Sequence, residues 1–211
     1  MKRIECEQGS LEWMQARLGM PTASQFDRLL TPKTLKPSSG HFKYRAELLA
    51  EWLMGQPLEW GTNAYMERGT ELEDEARNYY AMLRGVDVAQ VGFLTRDDGL
   101  AGGSPDGLID PIGGLEIKCP MAAQHVRTML GEDIGYKGQM QGYMYLTDRE
   151  WWDFLSYNPE LPPVIKRVER DEKYLAALVP VLEDFIGQLE EDKKTWAGHR
   201  VPRPWTEGVT A

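Results

Sequence analysis

The segment from Gly102 to Pro120, GGSPDGLIDPIGGLEIKCP, constrains the fold more than any other part of the chain. Two short apolar segments, Leu108-Ile109 and Leu115–Cys119, lie on either side of Pro-Ile-Gly-Gly. Apolar runs separated by turn-forming residues are typical of antiparallel strands joined by a tight turn. We therefore predict a β-hairpin here, with the acidic residue of Pro-Asp-Gly at the entry to its first strand.

The remainder of the chain alternates between helical and strand patterns. Apolar residues at helical spacing, with capping residues before them or glycines after them, predict helices at 11–18, 23–30, 42–54, 64–83, 121–130, 138–146 and 174–196. Strand patterns occur at 86–94, 151–157 and 164–168 besides the hairpin. Residues 31–40, which contain two prolines and Ser-Ser-Gly, are expected to form a mobile loop, and residues 99–103 a turn.

This order of elements predicts an α/β (α+β) fold, with a central mixed sheet and helices packed around it. The 211 residues are long enough for one domain with a sizeable core. We expect a single domain over residues 1–196, made of a helical N-terminal part (1–85) and a sheet-containing core (86–196). Residues 197–211 are expected to form an irregular tail.

Composition excludes several functional classes. No run approaches the ~20 apolar residues of a transmembrane helix, and no apolar stretch follows the basic N-terminus as in a secretory signal. Two cysteines are too few for a disulfide scaffold, so the cytoplasm is the expected location. The net charge of −9 argues against a simple basic nucleic-acid binder. Residues 61–110 carry 4 basic and 10 acidic residues and hold most of that excess, either as a solvated helix face or as a cation-binding site.

The predicted hairpin brings charged side chains together. Side chains alternate along a strand, so Glu116 and Lys118 share one face while Ile117 points into the core. The hairpin can place Asp106 beside Glu116. Two neighbouring carboxylates repel unless a divalent cation or a shared proton intervenes, and hard oxygen ligands suit Mg²⁺ or Mn²⁺. Taken separately, the two fragments are more often a plain turn and an edge strand with exposed charges, and both interpretations stay open at this point.

Three further segments carry candidate residues. The helix before the strands is acidic, and any one of its carboxylates can point at the hairpin while the others face solvent. Gln139 lies on an aromatic-rich helix, where it either packs half-buried or holds a water or phosphate oxygen. Arg17 and Ser24 combine a guanidinium with hydroxyls at a helix start, which indicates an anion site unless the hydroxyls only cap the helix. The acidic residues of that helix are Glu67, Glu71, Glu73, Asp74 and Glu75.

Taken together, these motifs resemble one family. The set W-x-x-x-R-L-G-x-x-T-A-S, G-T-E-L-E-D-E-A-R, S-P-D-G-L, L-E-I-K-C-P and Y-K-G-Q-M-Q-G-Y-M is similar to the lambda-type phage alkaline exonucleases, the YqaJ-like viral recombinase family of the PD-(D/E)XK nuclease superfamily. The resemblance extends from about Gln8 to Trp196. It implies a restriction-endonuclease-like core.

The resemblance also implies a role for each matching residue. Asp106, Glu116 and the backbone carbonyl of Ile117 match metal ligands, and Lys118 matches the catalytic lysine. Glu73 matches a helix glutamate that helps to hold a second metal. The other matches are Gln139 and Tyr136 beside the active site, Arg17 and Ser24 in a 5′-phosphate pocket, and Met66 at the position of a strand-separating wedge.

The activity implied by the resemblance is Mg²⁺-dependent 5′-to-3′ digestion of one strand of duplex DNA, with two ions per site. Such an enzyme releases 5′-mononucleotides and leaves 3′ overhangs for a phage single-strand annealing protein. Family members form homotrimeric rings around DNA, so an acidic exterior is compatible with a basic interior, for which Lys33, Lys36, Lys43 and Arg45 are candidates. The alternatives are a sequence-specific endonuclease on the same core and a DNA-end-binding module with a decayed site.

Overall fold

The structure is a computed structural model that describes residues 1–58, 64–109, 111–133 and 135–201, without the side chains of residues 64–70. Six α-helices and ten strands occur in these residues, together with two short 3₁₀ helices at Ala23–Arg28 and Ala197–His199. The α-helices are α1 (Leu11–Arg17), α2 (His41–Met54), α3 (Ala64–Arg84), α4 (Ala122–Met129), α5 (Lys137–Thr147) and α6 (Glu172–Trp196). The strands are β1 (Lys2–Ile4), β2 (Leu30–Thr31), β3 (Lys36–Pro37), β4 (Val88–Ala89), β5 (Phe93–Thr95), β6 (Gly102–Gly103), β7 (Gly107–Ile109), β8 (Gly113–Lys118), β9 (Trp151–Ser156) and β10 (Val164–Glu169).

The central sheet has five strands in the order β10-β9-β8-β7-β4. Strands β8 and β9 are parallel, and the other neighbouring pairs are antiparallel. The predicted hairpin is confirmed as β7–β8, with Gly107 opposite Leu115 and Ile109 opposite Gly113. A three-stranded sheet, β1-β5-β6, and the small hairpin β2–β3 lie beside this sheet. The expected mixed sheet with surrounding helices is thus confirmed.

Helices cover both faces of the five-stranded sheet. On one face, Trp152 and Phe154 of β9 belong to a large apolar core with α2, α5, α6 and the first 3₁₀ helix. On the other face, Leu115, Ile117 and Leu155 pack with residues of α3 such as Tyr80. The two faces of β8 therefore contact different helices, and this arrangement determines which residues meet each of its charged side chains.

Long-range pairing overrides several local patterns. The expected single strand over 86–94 is instead two strands in different sheets, and Gly92 between them packs so tightly that a Cβ there would lie 2.2 Å from the carbonyl oxygen of Cys6. The N-terminal part is not wholly helical, because β1 pairs with β5 and the expected mobile loop contains the hairpin β2–β3. Gly102 and Gly103, expected in a turn, form β6.

The prediction that a capping residue, Thr22, opens the helix expected over 23–30 is also wrong. The helix that follows is a 3₁₀ helix, Ala23–Arg28, and no side-chain bond caps it. The Thr22 N–H instead donates to the Tyr44 hydroxyl at 3.1 Å, and Thr22 Oγ1 lies 3.3 Å from Ser24 Oγ. Tertiary partners thus replace the local cap. Among the described residues, no helix combines the length and the apolar character that a membrane span needs.

Candidate active site

Strand β8 carries two charged side chains on one face, as its alternation predicts. Glu116 is 1% exposed, and its Oε1 accepts a hydrogen bond from Lys118 Nζ. Ile117 between them is also 1% exposed and packs in the apolar cluster on the opposite face. The strand therefore holds an acid and an amine together at the edge of the larger core.

Asp106 lies at the entry to β7, directly before the residue that pairs with Leu115. Its Oδ2 accepts the Ile117 N–H at 2.6 Å, so the carboxylate is fixed to the main chain of β8. The Asp106 carbonyl oxygen accepts a hydrogen bond from Arg77 Nε of α3 at 2.9 Å. The hairpin and α3 together bring Asp106 into the charged cluster of Glu116 and Lys118.

Burial and mutual repulsion act on three carboxylates of this cluster. Burial, followed by repulsion from Asp106, raises the pKa of Glu116 to about 8, and the same two causes raise the pKa of Glu73 to about 7. Burial also raises the pKa of Asp106, against the attraction of Lys118. Burial alone would lower the pKa of Lys118, but Glu116 and Asp106 outweigh it and raise that pKa. Negative charge is thus in excess here, and positive charge in the cleft stabilises it.

One oxygen of the cluster is left without a partner. Glu116 Oε2 is buried and makes no hydrogen bond, although an unsatisfied buried carboxylate oxygen is costly. Within the part of the chain that the structure describes, no three His, Cys, Asp or Glu side chains form a metal-binding group. The unpaired Glu116 oxygen beside the Asp106 carboxylate fits the hard oxygen ligands that Mg²⁺ prefers.

Gln139 of α5 contacts the same carboxylate. Its Nε2 donates to Glu116 Oε1 at 2.8 Å and to the Tyr143 hydroxyl at 3.0 Å. The Tyr143 hydroxyl donates in turn to the Ser104 carbonyl oxygen at 2.9 Å. The sequence motifs predicted Gln139 at the site but did not single out Tyr143 or Ser104. The signal for Tyr143 is its spacing of four residues from Gln139, which places both side chains on one face of the helix.

Arg17 and Ser24 line the same cleft as Asp106, Glu116, Lys118 and Gln139, and the cleft has an empty volume of about 480 Å³. The Arg17 guanidinium lies over the Trp13 ring, 4.1 Å from its centroid, and burial lowers its pKa. The Trp13 indole N–H donates to Ser104 Oγ at 2.6 Å. The structure therefore brings the predicted anion pocket and the carboxylate cluster into one cleft.

The other predicted residues have different surroundings. Tyr136 is half-buried, stacks on Phe154 at 5.4 Å between ring centroids, and lies 5.2 Å from Lys118 Nζ. The side chain of Met66 lies outside the described residues.

Arg77 was given no role from the sequence. It donates hydrogen bonds to the Asp106 carbonyl oxygen and, at 2.5 Å, to Asp74. Its position four residues after Glu73 on the same helix is the signal that could have identified it.

The predicted inner-face cations are on the surface around α2. Lys33 and Lys36 are exposed on and beside the hairpin β2–β3. Lys43 is also exposed and lies 3.8 Å from Glu47. Arg45 pairs with Asp192 at 3.0 Å, so this guanidinium already has a protein partner.

A mixed sheet that presents buried carboxylates and a lysine in one cleft defines a nuclease, and comparison with known proteins agrees. The model of the YqaJ-like viral recombinase domain matches residues 12–150. The chain is similar to the alkaline exonuclease LHK-Exo from Laribacter hongkongensis, with 34% identity, a TM-score of 0.78, and coverage of 90% of this chain and 97% of that one. LHK-Exo in complex with dAMP gives 36% identity and a TM-score of 0.77 over the same shares.

A phage-related exonuclease from Haemophilus somnus 129PT shares the fold at 18% identity, with a TM-score of 0.64 and coverage of 82% of this chain and 96% of that one. No curated protein sequence matches the chain. The chain belongs to the YqaJ-like viral recombinase family. Within that family it is an exonuclease related to the alkaline exonucleases.

Proposed function

We propose that this exonuclease digests one strand of duplex DNA from its 5′ end with the help of Mg²⁺. It releases 5′-mononucleotides and leaves 3′ single-stranded overhangs. The observation that carries the proposal is the shared cleft, in which Arg17 and Ser24 line the same space as Asp106, Glu116 and Lys118. An anion pocket beside a cluster of carboxylates suits a terminal phosphate and the phosphodiester next to it.

The arrangement of the cleft supports a single-nucleotide step, because Arg17 and Ser24 line it together with Asp106 and Glu116. The related LHK-Exo has been solved in complex with dAMP, a mononucleotide. A 5′-phosphate held by Arg17 fixes the distance to the next phosphodiester, so each cut removes one nucleotide, and such positioning contributes much of the rate.

The residues of the cleft divide the chemistry among them. Asp106, Glu116 and the Ile117 carbonyl hold Mg²⁺, and Glu73 supports a second ion. Divalent cations supply Lewis-acid stabilisation of the charge that develops on phosphate oxygens. Lys118 Nζ holds or moves a proton at the attacking water, because it is fixed beside Glu116 on the cleft side of β8. Gln139, bonded to Glu116, orients a water or a phosphate oxygen, and Tyr136 packs against the lysine.

The resemblance to the family supports a proposal for the assembly and the partner. We propose a homotrimeric ring around duplex DNA that acts with a phage single-strand annealing protein. Exposed Lys33, Lys36 and Lys43 supply positive charge for the inner surface, whereas the net charge of −9 then lies mainly outside. Topological enclosure allows processive digestion with few phosphate contacts, so moderate salt sensitivity is expected.

The proposal is tested with a linear duplex that is labelled at one 5′ end, in the presence of Mg²⁺ or of EDTA. We expect labelled mononucleotide as the first product with Mg²⁺ and no product with EDTA. A covalently closed circle of the same sequence serves as the control and should remain intact.

The other outcomes identify the alternatives. Cleavage of the closed circle would indicate an endonuclease on this fold. Binding of linear ends without digestion would indicate an end-binding module. Stepwise shortening of the labelled strand, with the labelled 5′ nucleotide released last, would indicate digestion from the 3′ end and contradict the proposed polarity.

A further inference from the structure

The hydroxyl of Tyr143 has no role in the proposed chemistry, yet it lines the cleft. The residue is 2% exposed, and its ring stacks on Trp152 with 5.2 Å between centroids. Gly103 faces this ring, and a Cβ there would lie 2.7 Å from a Tyr143 ring carbon. The ring is therefore held on both sides, and its hydroxyl has a fixed position.

The single proton of this hydroxyl is already used. It is donated to the Ser104 carbonyl oxygen at 2.9 Å, and a carbonyl oxygen can only accept. The Tyr143 oxygen can therefore only accept from its other neighbour, Gln139 Nε2 at 3.0 Å. The second neighbour of Gln139, Glu116 Oε1 at 2.8 Å, is also an acceptor.

Two acceptors on one side determine which way the Gln139 amide points. Its NH₂ group must face Glu116 and Tyr143, because the reversed amide would place Oε1 against the Tyr143 oxygen, whose proton is already used, and against Glu116 Oε1, which accepts from Lys118 Nζ. Both amide protons are then engaged, and Oε1 is the acceptor that Gln139 offers to a group in the cleft.

We infer that Tyr143 is a positioning residue that locks the Gln139 amide with Oε1 towards the cleft, where this oxygen accepts a hydrogen bond from the attacking water or the terminal nucleotide. The inference rests on the proposed function for its effect on the rate. Without the hydroxyl, Glu116 alone holds the amide, and the reversed orientation becomes accessible whenever Glu116 is engaged elsewhere.

Tyr143→Phe removes this one oxygen and keeps the ring that stacks on Trp152. With 5′-phosphorylated linear duplex and Mg²⁺, we expect kcat to fall about fivefold, the scale of one hydrogen bond, with KM unchanged. Tyr145→Phe is the matched control on the same helix, because its hydroxyl meets only Glu183 at 3.5 Å among the described contacts, and it should keep the wild-type kcat.

A double-mutant cycle separates positioning from a general structural role. If Tyr143 acts through Gln139, Tyr143→Phe should change kcat less than twofold in a Gln139→Ala background. An equal loss in both backgrounds, or no loss in the wild-type background, overturns the inference.

A measurement on the wild-type protein covers the case in which Tyr143→Phe does not fold. The Gln139 side-chain NH₂ signals, assigned by their loss in Gln139→Ala, should exchange with solvent more slowly than those of Gln188, whose one described hydrogen bond, to Asp184, is exposed. Equal exchange rates contradict the inference. Wild-type protein that fails to digest DNA with Mg²⁺ would contradict the proposed function, while the exchange rates would still test whether the Gln139 NH₂ group is held as the inference requires.

Discussion

Two buried carboxylates on neighbouring strands differ in how the protein neutralises them. Asp153 of β9 and Glu116 of β8 are 0% and 1% exposed, and the parallel strands place them one residue apart in register, on opposite faces of the sheet. Asp153 accepts from Arg167 at 2.8 and 3.0 Å and from the Tyr80 hydroxyl at 2.7 Å. Glu116 has one oxygen with no partner, and its pKa is raised to about 8.

The difference separates a structural acid from a functional one. Buried ionised groups are tolerated when paired and hydrogen-bonded, and this condition is met at Asp153 by residues of the protein itself. Around Glu116, the protein supplies more carboxylates than its own cations neutralise. We attribute the missing positive charge to the divalent cation of the proposed function.

The largest expected effect is on the functional side of the comparison. Lys118→Ala should lower the digestion rate by roughly 10³-fold, because the amine beside Glu116 is proposed to act on the attacking water. Mg²⁺ affinity measured by calorimetry should persist. Lys166→Ala, a lysine whose amine bonds only the Glu132 carbonyl among the described contacts, is the control. Digestion near the wild-type rate would remove Lys118 from the chemistry.

Stability should respond in opposite directions at the two acids. Without divalent cation, Asp153→Asn should lower the free energy of unfolding by about 2–3 kcal/mol, because it removes the carboxylate charge to which Arg167 and Tyr80 donate hydrogen bonds. Glu116→Gln should leave that free energy unchanged or raise it, because a neutral side chain replaces a carboxyl whose ionised form the fold leaves partly unsatisfied. Urea unfolding at neutral pH measures both. A large loss of stability in Glu116→Gln would erase the distinction between the two sites.

Two arginines, Arg167 and Arg17, repeat the contrast. Arg167 pairs with Asp153, whereas Arg17 forms no salt bridge with the described carboxylates and lies over Trp13. Arg17→Ala should reduce the preference for 5′-phosphoryl over 5′-hydroxyl duplex by roughly tenfold or more, since a charge-assisted contact is lost. Arg127→Ala, whose arginine pairs with Glu132, is the control. Equal slowing of both substrates would make Arg17 a general backbone contact.

A further expected effect is the pH dependence of stability without metal. Folding raises the pKa of Glu116 from 4.5 to about 8 and that of Glu73 from 4.5 to about 7. The folded state then binds more protons than the unfolded state between these values, so the free energy of unfolding falls as pH rises from about 5 to 8. Mg²⁺ should reduce this fall, and Glu116→Gln should flatten it. Urea midpoints across this range supply the test, and a rise in stability with pH would contradict it.

Local pattern was sufficient to predict the centre of the site. Asp106, Glu116 and Lys118 lie on one hairpin, and alternation with a tight turn decides which face each occupies. Gln139 and Arg17 were candidates with two interpretations each, and only the resemblance assigned them to this site, because their place in the cleft depends on how α5 and α1 pack. Residues that lie far from the hairpin in the sequence were therefore assigned to the site only through the family resemblance.

The missed features depend on contacts between distant residues. Strand β1 forms only because Lys2 pairs with Thr95, and the strand pattern over 86–94 divides where Gly92 packs on Cys6. The partner of Asp153 is likewise visible only after Tyr80 packs against the sheet. No local spacing contains these pairings, so the sequence alone could not supply them.

The proposed function requires that a divalent cation binds the buried carboxylates of the cleft and neutralises their charge. Calorimetric titration with Mg²⁺ of wild type, Glu116→Gln and Asp153→Asn tests it without DNA. We expect wild type and folded Asp153→Asn to bind Mg²⁺ with similar affinity and Glu116→Gln to bind at least tenfold more weakly, the scale of one charge-assisted contact. Unchanged Mg²⁺ binding by Glu116→Gln would contradict the proposed cation site, because the unpaired Glu116 Oε2 would then have no part in holding the cation.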